Sequence, residues 1–290
     1  MRKDRIWKNV LEKFFISFTE FFLPELHKNI DFSKPIKFLD NELSKITQKS
    51  EGKNRASDKL VEVSLNDGTN RWVLVHIEVQ DARKTDFAFR MFQYYYRIFD
   101  KFNKKIVAIS IYTDDNGKFK PSEYNDTFFG TEINYKFNIY KVLDQKNNIV
   151  KLKESTNPFS LVILASLYFL ESKKDENKRY NFKIELVKLL FKKGYTNQEI
   201  KELFDFIDIL VKFKSEQLEI KYLEEVDKMA KTKEKPLIGS YNKMLIDRGS
   251  KNRDIEIILN GKKEGLSNEM LSKLTKLSIE EVENILKKKK

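Results

Sequence analysis

Two apolar runs joined by a turn constrain this chain more than any other part of it. Residues 58–65 (DKLVEVSL) alternate apolar and polar, Asn66-Asp67-Gly68-Thr69 has turn chemistry, and residues 71–80 (RWVLVHIEVQ) form a second β-rich run. The apolar members Val61, Val63 and Leu65 of the first run and Val73, Val75, Ile77 and Val79 of the second are all odd-numbered. One face of a sheet is continuous, so residues opposed on it share parity, which requires a loop with an odd number of residues. A three-residue loop Asp67-Gly68-Thr69 satisfies this and suits Gly in a left-handed position. That register sets Asp58 directly opposite Glu78, with Cβ atoms about 4.5–5.5 Å apart on the even-numbered face. His76 and Gln80 share the same face.

Spacing alone leaves two readings of that pair open. Two carboxylates pressed together repel, and a divalent cation between them relieves the repulsion. In the other reading, Asp58 caps a strand and Glu78 is solvated on a wet face, as in many antiparallel sheets. The chain has no Cys, and its two His stand at 27 and 76. A disulfide framework, a thiolate zinc site, a Cys nucleophile and a multi-His centre are therefore excluded, and any metal is a hard cation on oxygen donors, Mg²⁺ or Mn²⁺.

Elsewhere the periodicity is mostly helical. Ile6, Val10, Leu11, Phe14, Phe15, Phe18, Phe21 and Phe22 predict one helix over the first 26 residues, closed by Pro24. A short strand is expected at Pro35–Leu39, a polar loop at Gln48–Arg55, and a helix at Thr85–Phe102 anchored by Phe87, Met91, Tyr94, Ile98 and Phe102. Lys105–Thr113 reads as a buried strand with a turn behind it, and Tyr135–Leu143 as another strand. From Phe159 to about Ala230 the pattern is helical with a break at Lys192-Lys193-Gly194, and Lys231–Lys235 before Pro236 reads as a linker. Gly261 and Gly265 punctuate a final module of two short helices, Ser267–Leu274 and Ser278–Leu286. Its core is expected from Leu266, Met270, Leu271, Leu274, Leu277, Ile279, Val282 and Ile285. The turn between those helices is short enough for a DNA-reading helix pair, but Glu280–Glu283 is acidic where a reader is basic, so packing or homo-oligomer formation is the favoured role.

The longest apolar run, Phe159–Leu170, is too short for the about 20 residues a membrane helix needs. The N-terminus lacks the apolar stretch of a secretory signal, so a cytoplasmic protein without a membrane partner is expected. Lys+Arg 56 against Asp+Glu 44 gives a net charge of +12, which suits an anionic partner such as nucleic acid. The excess is mostly Lys, as an AT-rich coding bias also produces, so charge decides nothing by itself.

Several stretches together resemble a known group. FFLPEL (21–26), IDFSKPIKFLDNEL (30–43), SDKLVEVSLNDGTNRWVLVHIEVQ (57–80), FAFRMFQYYYRIFDKF (87–102), KKIVAISIYTDD (104–115) and YKFNIYKVLD (135–144) resemble the Rpn family of recombination-promoting nucleases, also called YhgA-like transposases. This family is a branch of the PD-(D/E)XK nuclease superfamily. The tail EGLSNEMLSKLTKLSIEEVENIL is similar to the C-terminal segment of that group. The likeness is dense over residues 1–160 and loose beyond, and its specificity comes from HIEVQ together with RMFQYYYRIFDKF.

The resemblance implies an α/β fold, a PD-(D/E)XK nuclease-like core of mixed sheet flanked by helices with an all-α C-terminal half. The division that follows is a nuclease-like domain at 1–157, a helical domain at 158–235 and a small helical module at 236–290. It also implies a metal-dependent endonuclease that hydrolyses DNA phosphodiester bonds and promotes DNA recombination. In the family pattern Asp58, Glu78 and the Val79 carbonyl hold Mg²⁺, with Mn²⁺ as substitute, and Gln80 stands at the catalytic position where the superfamily has Lys. Gln orients a water but neither carries charge nor takes a proton, so more of the electrostatic work falls on the metal. Two rivals stay open: a structure-specific or RNA-directed nuclease with the same site, and a nucleic-acid-binding or partner-binding protein that has lost turnover.

Other residues are weaker candidates. Glu20 could add a ligand from the first helix, as could Glu12 and Glu25, but a solvated helix face is the ordinary reading of all three. His76 could contact phosphate, although a hydrogen-bonded rim histidine is commoner. Arg83 lies just past Gln80 and reads more simply as a surface charge. Arg90 and Arg97 stand one heptad apart among Phe and Tyr, a mixture that suits nucleic-acid contacts but whose aromatic stripe is more often core.

Overall fold

The computed structural model describes residues 2–39, 41, 43, 59–78, 87–232 and 254–287, with the backbone alone at 2–4, 75–78, 231, 232 and 287. The expected loop 48–55 and most of the linker 231–235 lie outside the described residues. The chain divides into two compact units, Met1–Met229 and Ala230–Lys290.

The first unit is a mixed α/β structure. Its sheet has the order β1-β2-β3-β4-β7, from Lys37–Phe38 (β1), Lys59–Ser64 (β2), Asn70–Glu78 (β3), Ile106–Tyr112 (β4) and Asn138–Lys141 (β7). β1, β2 and β3 are antiparallel neighbours, whereas β3, β4 and β7 run parallel. The parallel step from β3 to β4 is made through a helix, because strands running the same way need a long crossover. Helices α1 (Arg2–Lys13), α2 (Phe15–Phe22) and α3 (Pro24–His27) precede the sheet, and α4 (Phe87–Phe102) is that crossover. The single N-terminal helix expected from periodicity is broken at Phe14, whose φ −119 and ψ 32 are not helical.

Both faces of the sheet are covered. Leu60, Trp72, Leu74, Ala108 and Tyr112 pack with Phe87, Met91, Tyr94 and Ile98 of α4. On the other face Val61, Val63, Val73, Ile109 and Ile111 are buried. There α2 and α6 (Pro158–Glu171) close over the sheet, with Phe15 set 5.8 Å from Phe38, Phe22 4.7 Å from Tyr140 and Phe18 5.4 Å from Phe159. The even-numbered face, wet in one of the two readings above, is thus a second core over its described part, as expected when a parallel step lays a helix across it.

The predicted hairpin register is corrected. Val61 pairs with Val73 and Lys59 with Val75, a shift of two residues along β3 that removes the pairing from which Asp58 was set opposite Glu78. The loop is Asn66-Asp67-Gly68, closed by the Leu65 N–H on the Thr69 carbonyl at 2.7 Å. Gly68 has φ +78. In a three-residue loop the left-handed residue comes last, so Gly68 fixes the loop one residue earlier than the composition suggests. Parity survives the shift.

Side chains pin the same register across three strands. Glu62 lies opposite Trp72 on one side and Lys37 on the other. Its carboxylate accepts the Trp72 Nε1–H at 3.0 Å and pairs with Lys37 Nζ at 3.1 Å.

The hairpin β5 (Glu123–Phe128) and β6 (Thr131–Lys136) stands apart from the main sheet, and the single strand expected at 135–143 is split between β6 and β7. The rest of the unit is helical: α5 (Ile149–Glu154), α6, α7 (Glu176–Lys192), α8 (Asn197–Leu210) and most of α9 (Glu216–Thr232). α6 is buried almost all round, which is why its run is apolar without periodicity. Trp7 of α1 meets Phe206 of α8 edge-on at 5.3 Å, so the N-terminal helix and the later helices share a core. Among the described residues no helix is long and apolar enough to cross a membrane.

In the second unit, helices 254–263, Asn268–Thr275 and Ile279–Lys287 surround Ile258, Leu271 and Val282. Met270, Leu274 and Ile279, expected in this core, are exposed instead. Gly261 lies inside the first helix, and a Cβ there would meet Leu271 Cδ2 at 2.6 Å, so close packing and not a turn requires it. Gly265, with φ +83, makes the turn.

The Glu62 carboxyl is held below the usual carboxylate range, chiefly by the Trp72 indole N–H and then by Lys37. A depressed folded value stabilises above the ordinary carboxylate pKa, and that contribution is lost as pH falls through the lower folded value. Glu62→Ala is expected to cost about 1–2 kcal/mol at neutral pH. Urea unfolding of parent and variant across acid pH should show this gap narrowing as the pH drops; a gap that does not change with pH would contradict the assignment.

Candidate active site

Because β3, β4 and β7 run parallel, their C-terminal ends share one edge of the sheet. In open sheets of this kind the crevice outside the carboxyl ends is where ligands bind. Pairing sets Glu78 of β3 beside Tyr112 of β4, and Tyr112 beside Lys141 of β7. The three positions form one row, at about 4.8 Å between neighbouring strands.

Charge is buried at this edge. Lys141 Nζ lies 2.7 Å from Asp114 Oδ2, with both side chains nearly inaccessible. The ammonium also donates to the Phe119 carbonyl at 3.3 Å and lies 5.6 Å from the centre of the Tyr112 ring. Asp114 Oδ1 accepts the Asn116 N–H at 2.8 Å, and Tyr112 Oη donates to the Pro121 carbonyl at 2.6 Å. Exposed pairs continue the lacing, with Lys173 on Asp115 at 2.6 Å and Lys120 on Asp144 at 2.9 Å. Lys173, by its hydrogen bond first and its charge second, holds the Asp115 carboxyl below its ordinary range. Sequence reasoning missed the Lys141–Asp114 pair, which spans 27 residues and has no local spacing signal.

Of the predicted site residues, Glu78 is the last residue of β3 and His76 pairs with Ser110 of β4; only their backbones are described. Asp58, Val79, Gln80 and Arg83 lie outside the described residues. Among the described residues no group of three His, Asp or Glu side chains could hold a metal ion.

The three glutamates of the N-terminal helices have separate partners. Glu12 forms an ion pair with Lys59, a β2 residue that is 1% exposed and also stands over the Phe38 ring at 5.5 Å. Glu20 Oε2 accepts from Asn157 Nδ2 at 2.8 Å, at the N-terminus of α6, and Glu25 pairs with Lys28 at 2.8 Å in solvent. On α4, Arg90 lies over the Phe87 ring at 5.4 Å and Arg97 over Tyr96 at 5.9 Å.

Removing one member of a buried ion pair strands the other charge and costs about 3–5 kcal/mol, while replacing both by apolar groups is often neutral. Lys141→Met should therefore destabilise the first unit by that order, and Lys141→Met with Asp114→Leu should recover most of the loss. Urea unfolding of the two variants decides it. A single variant as stable as the parent would mean that the pair holds nothing together.

No protein-family model, curated protein or solved structure matches the chain.

Proposed function

We propose that the chain is a Mg²⁺-dependent endonuclease of PD-(D/E)XK type that hydrolyses DNA phosphodiester bonds. In this reading Asp58, Glu78 and the Val79 carbonyl hold the cation and Gln80 orients the attacking water. The observation that carries the reading is the order of connections around β3. A helix precedes an antiparallel hairpin β2–β3, Glu78 ends β3, a helix crosses over, and β4 returns parallel beside it.

The donor set is chemically consistent with that ion. Two carboxylates and a backbone carbonyl offer oxygen only, which suits Mg²⁺ or Mn²⁺. When bound, such an ion lowers the pKa of a coordinated water and neutralises charge developing on phosphate. Gln80 donates and accepts hydrogen bonds without changing protonation, so its part is to position water. The net charge of +12 favours encounter with a polyanion. Promotion of recombination and cytoplasmic residence belong to this proposal through the family resemblance.

A second reading, a nucleic-acid-binding protein without turnover on the same fold, is favoured by one observation. Phe89, Tyr96 and Phe99 of α4 are 41%, 42% and 47% exposed, an unusual density of aromatic surface.

Plasmid cleavage in Mg²⁺, Mn²⁺, Ca²⁺ and EDTA separates the two. The nuclease reading expects cutting with Mg²⁺ or Mn²⁺, none in EDTA, and loss of cutting in Asp58→Ala and Glu78→Ala. Gln80→Ala should be slower by about 10²–10³-fold, the scale of one well-placed polar contact at a transition state. No cutting in any metal, with DNA still bound, would favour the second reading. Near-normal cutting by either carboxylate variant would overturn the ligand assignment.

A further inference from the structure

The β5–β6 hairpin is anchored at its base and bare at its tip. Tyr124 of β5 stacks on Phe92 of α4 at 5.1 Å and meets Phe89 at 5.2 Å. From Asp126 to Glu132 every residue is exposed. Phe128 pairs with Thr131, which leaves Phe129-Gly130 as a two-residue turn with φ +42 and +85. Such a turn suits Asn, Asp or Gly at its first position, and a bulky side chain is disfavoured there. Phe129 is nonetheless 94% exposed, Phe128 is 70% exposed, and the two rings meet edge-on at 4.6 Å. A turn residue that strains its backbone and meets almost only solvent does little for its own fold, so its use lies in contact with another molecule.

The flanks of the tip select the kind of molecule. Asp126 and Glu132 stand on opposite faces of the ribbon, because Glu132 lies across from Thr127. Over the whole hairpin, Glu123, Asp126 and Glu132 against Lys136 give a charge of −2. Such a tip repels phosphate, so neither a nucleic-acid backbone nor an anionic membrane fits it. The same unit carries the complementary surface. Phe89, Tyr96 and Phe99 of α4 are about half exposed, and Arg90, Arg97 and Lys101 against Asp100 give that helix +2. Arg97 stands over the Tyr96 ring at 5.9 Å, so the basic flank borders the aromatic row.

We infer that the occupant of both surfaces is a second copy of this chain, in a two-fold dimer that exchanges hairpins. Phe128 and Phe129 of each copy pack on Tyr96 and Phe99 of the other, and Asp126 and Glu132 face Arg97 and Lys101. Exchange covers both surfaces at once and closes the assembly, whereas a one-way contact leaves a tip and a helix face open at its ends. The area is sufficient. At about 200 Å² per aromatic residue, the tip rings offer about 300 Å² and the α4 row about 250 Å². Two copies together then bury about 1,100 Å², close to the ~1,200 Å² at which specific interfaces begin, before the charged flanks are counted. This use of the α4 face needs no nucleic acid, and the inference does not rest on the nuclease reading.

The test is sedimentation velocity of the full chain, freed of nucleic acid, over a range of micromolar concentrations. The parent should show a monomer–dimer equilibrium with no larger species. Phe129→Asn gives the turn a residue that it favours, so the fold is kept while the ring is lost. It should weaken the dimer about 10²–10³-fold, because each dimer loses the ring twice and one buried aromatic anchor is worth about 10–30-fold. Charge reversal then shows which surfaces meet. Asp126→Lys with Glu132→Lys sets like charges against α4, Arg97→Glu with Lys101→Glu sets like charges against the hairpin, and each reversed chain alone should be monomeric. Mixed in equal amounts they should form a heterodimer, since each hairpin then meets a helix of opposite charge. Unchanged far-ultraviolet circular dichroism qualifies each variant, and Phe129→Asn decides by itself where a reversed chain misfolds. A parent that stays monomeric, a Phe129→Asn dimer as tight as the parent's, or a dimer that survives in either reversed chain would overturn the inference. So would a mixture of folded reversed chains that does not associate, an open-ended polymer, or association that appears only when an oligonucleotide is added.

Discussion

Almost everything in the first unit depends on β3 being held between an antiparallel and a parallel neighbour, with both faces buried over its described side chains. Its antiparallel side is fixed by the loop at Gly68 and by the Lys37–Glu62–Trp72 row across three strands. Its parallel side follows from α4, which lays Phe87, Met91, Tyr94 and Ile98 on one face and leads the chain back as β4. With β3 fixed, its carboxyl end is fixed too, and Glu78 comes to lie in the row of Tyr112 and Lys141. A slip of one residue would swap the two faces of the strand and break the Lys37–Glu62–Trp72 row.

Much of this was legible in the residues. The parity of the valines fixed which positions of the hairpin share a face, and the three- and four-residue steps of α4 identified its buried side. The register was not legible, because two odd-length loops satisfy the same parity and only the need for the left-handed residue to come last chooses between them. The β5–β6 hairpin escaped because its first strand is exposed almost throughout and carries no apolar alternation. Phe14 broke a helix whose periodicity runs through it, since side-chain spacing carries no information on a local φ and ψ. Gly261 looked like punctuation and is a packing residue. At the candidate site, the strand end bearing Glu78 was readable, whereas Lys141 and Asp114 meet only through the tertiary fold.

The first unit keeps buried charge and exposed aromatic surface apart. At the carboxyl edge of the sheet Lys141 is already neutralised by Asp114 and so is not a free cation for phosphate. Aromatic surface belongs to α4, where Phe89, Tyr96 and Phe99 are exposed. In the proposed nuclease reading Gln80 stands where the superfamily has Lys, and the electrostatic demand would fall on the cation.

The central claim is therefore best tested on the cation itself, apart from any turnover. Titration of the full chain with Mn²⁺, followed by electron paramagnetic resonance of the free ion, counts sites directly. The account predicts one saturable Mn²⁺ site in the parent that Mg²⁺ displaces, and its loss in both Asp58→Asn and Glu78→Gln while the far-ultraviolet circular dichroism stays unchanged. Mn²⁺ binding that is absent from the parent, or that survives intact in either folded variant, would contradict it.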